Sequence, residues 1–570
     1  MFNGLINWFR QKSNFIFPKN DIVEAQAVAP TVKTTKNKTY LVDPSLPSLI
    51  IEKEIPTTTI LPVNAIGESG GGYSLGTSQQ QAAGLKQIIN DALVFMSGKS
   101  PKKIVKWAAT SRLSLQARAG KDINAYYDRS SLKFFYFPDK KTNKTIYACD
   151  SRTVVAHEFG HALLDILRPD LWNVMSDEIW AYHESFGDIV AILNNLQYEA
   201  LIDAAIKDNQ DLKKSNILTR LAAEMGIGLY NLTKGSNGEL PNCLRDMSKK
   251  YTYALPSSLP KDGRDDQIVN EPHSFSRVFT SMFYNLLIQV TNIYIEAKMT
   301  PKAALIKARD LMASYIMQAS NNAPRTSKFF KSVCQEMMVA DSKNGGKFQV
   351  LFYNTFVSWN IFDANIKILN KMSIADVMRD IHDEFDYQDH GQIKVLRVMK
   401  EKTIELNKIH GVVAQAGNPL LSAEIEVASQ SAYYFNEELN LIEAHESSEQ
   451  EIIETALNCI SIIEQRNLIG DHEKAEFELV EGKLLRKKIA SCGCNKPNYC
   501  IPGAPEYQKP WKPKNNSGCV KCGKADCGPK SCDCEQPSPA QPPKTGCYTS
   551  IKTGKGTTYK VGSRLSRKVC

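Results

Sequence analysis

The fold of this chain is decided by one short stretch, His157-Glu158-Phe159-Gly160-His161, which lies within an apolar run. Two histidines four residues apart on a helix lie on one face, one turn apart, so both imidazoles can bind the same metal ion. The glutamate between them is then placed to take a proton from a water at that metal. Only nine histidines occur in 570 residues, so the spacing is not a product of histidine abundance.

A second helix is predicted at residues 180–193, and it carries Glu184 and Asp188 one turn apart on a single face. Carboxylates in so apolar a segment are costly unless they are paired or bind a metal. His157, His161 and Glu184 would supply three ligands and leave a fourth position for water, the arrangement typical of catalytic zinc. Asp188 would then accept the outer N–H of a ligand imidazole and fix its tautomer.

Together the two segments, HEFGH and then HESFGD, resemble the gluzincin metallopeptidases, the thermolysin-like group. That family has HExxH on one helix and ExxxD on the next. The resemblance covers roughly residues 80–360 of this chain and implies one catalytic zinc bound by His157, His161 and Glu184. It implies a zinc-dependent endopeptidase that hydrolyses a protein or peptide substrate.

The resemblance also implies roles for two carboxylates beside the ligands. Glu158 would be the general base, and Asp188 would be the hydrogen-bonding partner of His157. The metzincin alternative requires a glycine and a third histidine soon after HExxH. Leu164 and Leu167 stand at those positions, so the metzincin pattern is not met.

Residues implied in substrate binding lie on two aromatic-rich segments, 123–127 and 132–137, which read as strands. Thermolysin-like enzymes carry an Asn-Ala-aromatic-aromatic edge strand here that pairs with the substrate backbone. By that resemblance Asn124 and Ala125 would bind substrate by strand addition, although two ordinary sheet strands are the alternative. Val154, ahead of HExxH, would line the pocket for the side chain that follows the cut.

A further histidine, His273, comes just before an apolar helical segment. The family places a histidine at this point, where it stabilises the oxyanion of the tetrahedral intermediate, and a histidine that merely caps the loop is the alternative. The aspartate that usually orients it is not at its expected offset. Asp265, Asp266 and Glu271 are the candidates for that task.

Two departures from the family pattern keep other functions open. The second transition-state donor of the family, a tyrosine, is not at its offset, where Met175 stands, and Tyr182 is the only tyrosine in the interval. His183 stands where the family often has asparagine, and it would either orient His161 or add a further nitrogen near the metal. A catalytically silent zincin fold acting as a docking module is therefore the second hypothesis, and a delivered protease effector or toxin is the third.

The whole chain is expected to be an α+β protein in four parts. These are an N-terminal segment and linker without stable structure at 1–75, a thermolysin-like zincin core with a small mixed sheet and a helical lobe at 76–360, an all-helical region at 361–490 and a Cys/Pro/Gly-rich tail at 491–570. No run approaches the roughly 20 apolar residues of a membrane span. No secretory signal is evident, which favours a cytoplasmic protein or a non-classical export route.

The tail carries the positive charge and most of the cysteines of the chain. It has fourteen Lys and Arg against four acidic residues, a net charge of +10, so the rest of the chain carries −1 of the total +9. That charge favours an acidic partner, although no nucleic-acid-binding module is recognised. Five cysteines are spaced for a small zinc knuckle, with disulfides or free thiols as alternatives: Cys519, Cys522, Cys527, Cys532 and Cys534.

Overall fold

The computed structural model combines helices and sheets, in agreement with the expected α+β class. It describes residues 34–42, 50–56, 59–67, 76–209, 211–236, 238–363, 372–379, 381–409, 418–470, 472, 475–490, 548–552 and 558–562. The helices in this part of the chain are α1 (Ser78–Ser97), α2 (Arg152–Leu167), α3 (Asp177–Asn195), α4 (Glu199–Asp208), α5 (Ala223–Thr233), α6 (Pro272–Glu296), α7 (Pro301–Asn322), α8 (Phe329–Lys343), α9 (Gln349–Ser358), α10 (Ile374–Arg379) and α11 (Glu449–Arg466).

The strands are short, and they form seven separate sheets within the described residues. They are β1 (Thr34–Val42), β2 (Ile50–Pro56), β3 (Val63–Ala65), β4 (Leu113–Gln116), β5 (Ala125–Tyr127), β6 (Ser131–Phe134), β7 (Tyr136–Pro138), β8 (Thr145–Tyr147), β9 (Val174–Met175), β10 (Arg220–Leu221), β11 (Arg245–Asp246), β12 (Phe385–His390), β13 (Ile393–Val398), β14 (Lys402–Glu405), β15 (Glu424–Val427), β16 (Ser431–Phe435), β17 (Leu441–His445), β18 (Phe477–Val480), β19 (Lys483–Arg486), β20 (Ile489–Ala490), β21 (Tyr548–Lys552) and β22 (Thr558–Gly562).

The sheet next to α2 has five strands in the order β20-β5-β6-β4-β3. The β3–β4 and β4–β6 pairs are parallel, whereas β5 is antiparallel to both β6 and β20. The sheet is therefore mixed, as expected, but its two outer strands come from outside residues 76–360. The boundaries predicted at residues 75 and 361 consequently do not separate independent sheets.

The expectation that residues 1–75 lack stable structure is wrong for the part that the structure describes. β1 and β2 form an antiparallel hairpin, and β3 pairs with β4. The Pro, Lys and Gly content suggested a linker, but the β-branched and aromatic residues of Thr39-Tyr40-Leu41-Val42 favour a strand. Pairing with distant strands supplies the backbone hydrogen bonds that local composition cannot reveal.

The helical lobe is built around α2 and α3, whose residues are almost all buried. Aromatic side chains join α3 to its neighbours, since the Tyr182 ring contacts Phe279 on α6 and Phe329 on α8 with centroids 5.2 Å apart in both cases. α6 is long and apolar enough to cross a membrane by length and composition, but 72% of its most apolar window is buried inside the protein. A buried core helix has the same character, and the bent pair α3–α4 also meets that test.

The region 361–490 was predicted to be all helical, and that prediction is wrong. It forms a four-stranded antiparallel sheet (β12-β13-β16-β17) and most of a second sheet (β14-β15-β19-β18), and α10 and α11 are the α-helices of its described residues. Residues 402–405 and 424–445 contain β14, β15, β16 and β17. Burial alternates in β15 with a period of two, and short apolar runs of this kind do not distinguish a strand from a helix by periodicity alone.

The C-terminal sheets are joined firmly to the helical lobe. β9, which lies between α2 and α3, adds to the second sheet by pairing in parallel with β15. Arg325, whose side chain is fully buried, donates to the Asp170 carbonyl at 2.8 Å and forms ion pairs with Glu401 and Glu426. These contacts join the second sheet to the segments that border α3 and α8.

The structure describes the cysteines of the core but not those of the tail. Cys149, Cys243, Cys334 and Cys459 are buried and free, as expected of small apolar side chains. The tail cysteines predicted to bind zinc or form disulfides lie outside the described residues, so that expectation stays a prediction. In the tail, β21 and β22 form an antiparallel hairpin.

Candidate metal centre

Three side chains predicted as ligands converge at the contact between α2 and α3. The Nε2 atom of His157 lies 3.3 Å from Glu184 Oε2, and the Nε2 atom of His161 lies 3.6 Å from Glu184 Oε1. All three side chains are buried, and their ligand atoms lie within 4.8 Å of one another. This group could hold a metal ion.

Three polar atoms of this group fit a bound cation because they lack a hydrogen-bond partner within the part of the chain that the structure describes. His157 Nε2, His161 Nε2 and Glu184 Oε2 are buried without a hydrogen-bond partner among the described residues. An unpaired buried polar atom costs about 1–3 kcal/mol, so three such atoms facing one point indicate a missing partner. A cation between them would satisfy all three at once.

The two ligand histidines have pKa shifts of opposite sign. Burial lowers the pKa of His161 well below its usual range, helped by the positive charges of His157 and Arg486, so the imidazole is neutral and its lone pair is available. Burial alone would lower the pKa of His157 as well, but the neighbouring carboxylates of Asp188 and Glu184 outweigh it and raise that pKa to about 9. The carboxylates thus attract positive charge to the ligand group.

Asp188 takes the position expected of it beside His157. Its Oδ1 atom lies 2.8 Å from Nδ1 of His157, so the ring donates Nδ1–H outward and keeps Nε2 directed at the other ligands. The other oxygen, Oδ2, accepts from Arg245 at 3.3 Å and from Thr280 at 3.4 Å. Burial raises the pKa of Asp188, but Arg245 and His157 lower it by a larger amount. The resulting pKa is below the usual range of an aspartate.

Two glycines make this arrangement sterically feasible, and the sequence analysis did not identify them. A Cβ at Gly160 would lie 2.6 Å from the Cα of Gly187, so α2 and α3 approach each other backbone to backbone at this point. A Cβ at Gly187 would lie 2.8 Å from Nδ1 of His157. The glycine inside HESFGD therefore provides the space in which the His157 imidazole meets Asp188.

Gly187→Ala is expected to weaken metal binding by about 10–100-fold, the usual effect of disturbing a residue that orients a ligand. The added methyl group would push the His157 ring away from Asp188. Gly84→Ala on α1 is the matched control, because its Cβ would meet nothing closer than 3.8 Å. The control should leave metal affinity unchanged and raise the free energy of unfolding by about 0.5–1 kcal/mol. Competition with a chromophoric chelator measures both affinities, and equal values would refute this role of Gly187.

Glu158 lies between the two histidines on α2 and is completely buried. Neither of its carboxylate oxygens has a hydrogen-bond partner in the described part of the chain. Burial, reinforced by the charge of Glu184 and opposed by His157, raises the pKa of Glu158 to about 8. A carboxyl with a pKa near neutrality is well suited to accept a proton and return it.

His273 begins α6 and comes within 3.5 Å of the ligand group, measured from its Nε2 to Oε2 of Glu184. Of the three candidates to orient it, Glu271 does so through a hydrogen bond to Nδ1 of His273. Glu271 also caps α6, because its Oε2 accepts from the Ser274 backbone N–H at 2.8 Å. Burial opposes the protonation of His273, but Glu184 and Glu271 raise its pKa to about 9, which makes it a cationic donor.

The orienting contact predicted for His183 is not observed, and no described tyrosine between His161 and Glu184 takes the place of the second donor that the sequence left unassigned. The rings of His183 and His161 lie 6.2 Å apart, and neither ring nitrogen of His183 has a hydrogen-bond partner among the residues described, so the expected orienting contact is absent. Tyr182 points into the core, where its hydroxyl lies 2.6 Å from Ser320 Oγ. Tyr182 therefore does not supply the second donor, and Met175 is buried within the C-terminal core.

The predicted substrate-binding residues are arranged differently from expectation. β5 carries Ala125 as predicted, and Asn124 directly precedes it, but β5 is not an edge strand because β20 pairs with Tyr126 and Tyr127. β5 is therefore not a free edge at Tyr126 and Tyr127, contrary to the expectation of an edge strand. Val154 is buried in the core at 5% exposure.

The C-terminal region contributes one wall of the site, a feature that the sequence analysis missed. A small cleft is lined by Glu184 and His273 on one side and by Phe477 and Arg486 on the other. Two guanidinium nitrogens of Arg486, Nε and Nη1, are buried without a hydrogen-bond partner within the described residues. Since Arg486 is about 300 residues from Glu184 along the chain, no local sequence pattern could have placed it there.

No protein-family model and no curated protein matches the sequence.

Proposed function

We propose that this protein is a zinc-dependent endopeptidase with a thermolysin-like zincin core. The observation that carries the proposal is the convergence of two imidazoles and one carboxylate, in which His157 Nε2, His161 Nε2 and Glu184 Oε2 have no hydrogen-bond partner among the described residues. Zinc fits these atoms best, because it prefers nitrogen and carboxylate ligands, and three protein ligands leave one position open. Ligands of a tetrahedral zinc lie roughly 3.4 Å from one another, close to the 3.3 and 3.6 Å separations between the ligand atoms.

Zinc, when bound, supplies a Lewis acid that polarises a carbonyl and makes a water acidic. Glu158 takes the proton of the attacking water, because it is the buried carboxyl between the ligand histidines on α2 and no other described group engages its oxygens. The same carboxyl then passes the proton to the leaving amine. The raised pKa of Glu158 suits both the uptake of a proton from water and its transfer to the leaving amine.

His273 stabilises the oxyanion that develops as water adds to the carbonyl carbon. Its protonated ring is fixed by Glu271 at Nδ1, so Nε2–H is directed at the site beside Glu184. Donors that are held in place before reaction stabilise developing charge without reorganisation. Asp188 and Arg245 fix the orientation of His157 and so act as positioning residues.

The proposal is tested by metal analysis of the full chain together with cleavage of an unstructured protein such as casein. The full chain is required because β3 and β20 complete the sheet beside the site. One zinc per chain with zinc-dependent cleavage would support the proposal. One zinc without cleavage would favour the silent docking module, and absence of zinc binding would contradict both.

His273→Ala is expected to lower kcat for peptide hydrolysis by about 100–1000-fold, as the loss of an oxyanion donor does. KM and zinc content should change little, because His273 is not among the residues that could hold the metal. Steady-state kinetics with a fluorogenic peptide gives the two constants. His382→Ala, which removes an exposed histidine of the C-terminal region, should leave both constants unchanged. A kcat within about threefold of the unaltered enzyme would exclude His273 as the donor.

A further inference from the structure

Arg486 carries a buried positive charge that the protein compensates only in part. Its side chain is 3% exposed, and the carboxylate of Glu476 lies 3.9 Å from Nη2, beyond hydrogen-bond distance. The Nε and Nη1 atoms have no hydrogen-bond partner within the described part of the chain. A guanidinium stays protonated, and a buried charge is costly unless it is paired and hydrogen bonded. Arg486 is therefore suited to bind an anion that comes from outside.

The guanidinium of Arg486 is held in place by contacts that leave its N–H groups available. Its Cζ atom lies 5.6 Å from the centre of the Trp180 ring and 5.7 Å from that of Phe477. The Arg486 carbonyl accepts from the Trp172 indole N–H at 2.8 Å, and its backbone N–H donates to Asn173 Oδ1 at 3.1 Å. A side chain that is already fixed loses little conformational entropy when it binds a ligand.

Arg486 lines the same cleft as the proposed ligand Glu184 and the proposed oxyanion donor His273. Much of the remaining lining is apolar, and it consists of Trp180, Ile462, Leu468 and Phe477. A few polar groups in an otherwise apolar cleft are typical of a ligand site, where they determine which ligand is accepted. A molecule that occupies this cleft would contact Arg486 and would lie beside the reacting groups.

The other charged groups of the cleft are engaged by neighbours. Glu184 faces the two ligand imidazoles, and Glu271 is hydrogen bonded to Nδ1 of His273. Arg466, the second guanidinium of the lining, donates to a backbone carbonyl at 3.4 Å. Arg486 is therefore the group of the cleft that offers charge together with unused N–H donors, counted over the described residues.

We propose that Arg486 binds a carboxylate of the substrate, so that the enzyme selects peptides with an acidic side chain or a free carboxyl terminus close to the bond that is cut. The inference rests on the proposed peptidase function. The carboxylate is the anion that an unmodified peptide carries, and guanidinium groups bind it through strong, charge-assisted hydrogen bonds. In this role Arg486 determines specificity and takes no part in the transfer of protons.

The test uses pairs of fluorogenic peptides that differ only in Glu or Gln at one of three positions on either side of the bond that is cut. We expect kcat/KM to be about 10–100-fold higher for Glu at one position, the usual effect of hydrogen bonds to a charged group, and to reflect KM more than kcat. In the Arg486→Met protein, which keeps an unbranched apolar side chain, this ratio should fall to about one. Both rates come from one sample, so partial loss of folded protein does not alter the ratio.

A second pair of peptides distinguishes the two sources of a carboxylate. These peptides contain Gln throughout the tested positions and end shortly after the cut in either a free carboxylate or an amide. A preference for the free carboxylate assigns Arg486 to the carboxyl end of the substrate, and a preference for Glu assigns it to an acidic side chain. Absence of both preferences, or a preference that persists in Arg486→Met, would overturn the proposal.

Two further variants complete this series. Arg379→Met is the matched control, because it removes an exposed guanidinium on α10, and it should keep the full preference. Arg486→Lys keeps the charge but lacks the planar set of donors, so it should show a smaller preference than the unaltered protein. An undiminished preference in Arg486→Lys would contradict recognition by the guanidinium, and this holds whether or not Arg486→Met folds.

Binding measured without turnover tests the same contact. The Glu158→Gln protein should bind peptides and leave them uncut, so the fluorescence anisotropy of labelled Glu and Gln peptides gives their Kd values. We expect Kd to be about 10–100-fold lower for the Glu peptide, or for the free carboxylate, and the difference to disappear when Arg486→Met is added. Equal Kd values throughout would overturn the proposal.

Casein cleavage by the same preparations separates failure of this inference from failure of the proposed function. If casein is digested while no carboxylate is preferred in rate or in binding, the role of Arg486 is wrong and the peptidase function stands. If casein stays intact and carboxylate peptides still bind more tightly through Arg486, the peptidase function fails and the carboxylate site stands. If neither is seen, both fail.

Discussion

The Glu158→Gln protein is expected to bind one zinc per chain and to hydrolyse peptides about 100- to 10,000-fold more slowly than the unaltered protein, because it lacks the group that transfers the proton. Glutamine has nearly the same shape, so the packing of α2 around this fully buried position should be preserved. The ligand set does not include Glu158, so zinc affinity should be retained. Single-turnover cleavage of a fluorogenic peptide and elemental analysis of the same sample measure both quantities.

A glutamate distant from the site provides the control for this experiment. Glu438 is exposed in the turn between β16 and β17, so Glu438→Gln should change neither hydrolysis nor zinc content. Hydrolysis by Glu158→Gln at the unaltered rate would show that the proposed mechanism is wrong. Loss of zinc from that variant would show instead that Glu158 is needed to assemble the site.

Removal of the metal is expected to lower the thermal stability of the protein substantially. Without a cation, Glu158 and Glu184 are buried close to each other, and several polar atoms of the site have no hydrogen-bond partner among the described residues. A metal that binds only the folded state stabilises it by about 4 kcal/mol when its free concentration is 1000 times Kd. Scanning calorimetry at buffered free zinc concentrations and after chelation measures the resulting shift of Tm.

Glu184→Ala supplies the matched comparison, because it removes one ligand and a buried negative charge together. We expect this variant to lose both zinc binding and hydrolysis, and its Tm should no longer depend on free zinc. A Tm of the unaltered protein that is the same in zinc and in chelator would contradict a metal centre at His157, His161 and Glu184. Retention of zinc by Glu184→Ala would contradict the ligand assignment.

The helices that carry the site could be predicted because their signals are local. A four-residue spacing of His157 and His161, and of Glu184 and Asp188, places side chains on one helical face whatever the rest of the chain does. α1 carries the same kind of local signal, an apolar stripe that ends at Gly98. Glu271 was only one of three candidates to orient His273. A choice between nearby acidic residues depends on the path of the loop, which the sequence does not specify.

The β-strands after residue 361 could not be predicted in the same way. A segment such as Ser431–Phe435 has five residues, too few for a period of 3.6 to be distinguished from a period of two. Its hydrogen-bond partners lie on β13 and β17, and no local pattern specifies them. The same holds for β20, a two-residue strand that exists because β5 offers it a pairing edge.

The sequence by itself determined the proposed ligands, the proposed base and the two helices that hold them, since a helix converts a fixed spacing into a fixed direction. Only the tertiary structure decided how closely those helices approach, which depends on Gly160 and Gly187 meeting across the interface. It also decided that Arg486 forms a wall of the site and that the chain covers its own sheet edge. The last two contacts join residues hundreds of positions apart, and all three are set by packing and strand pairing rather than by local pattern.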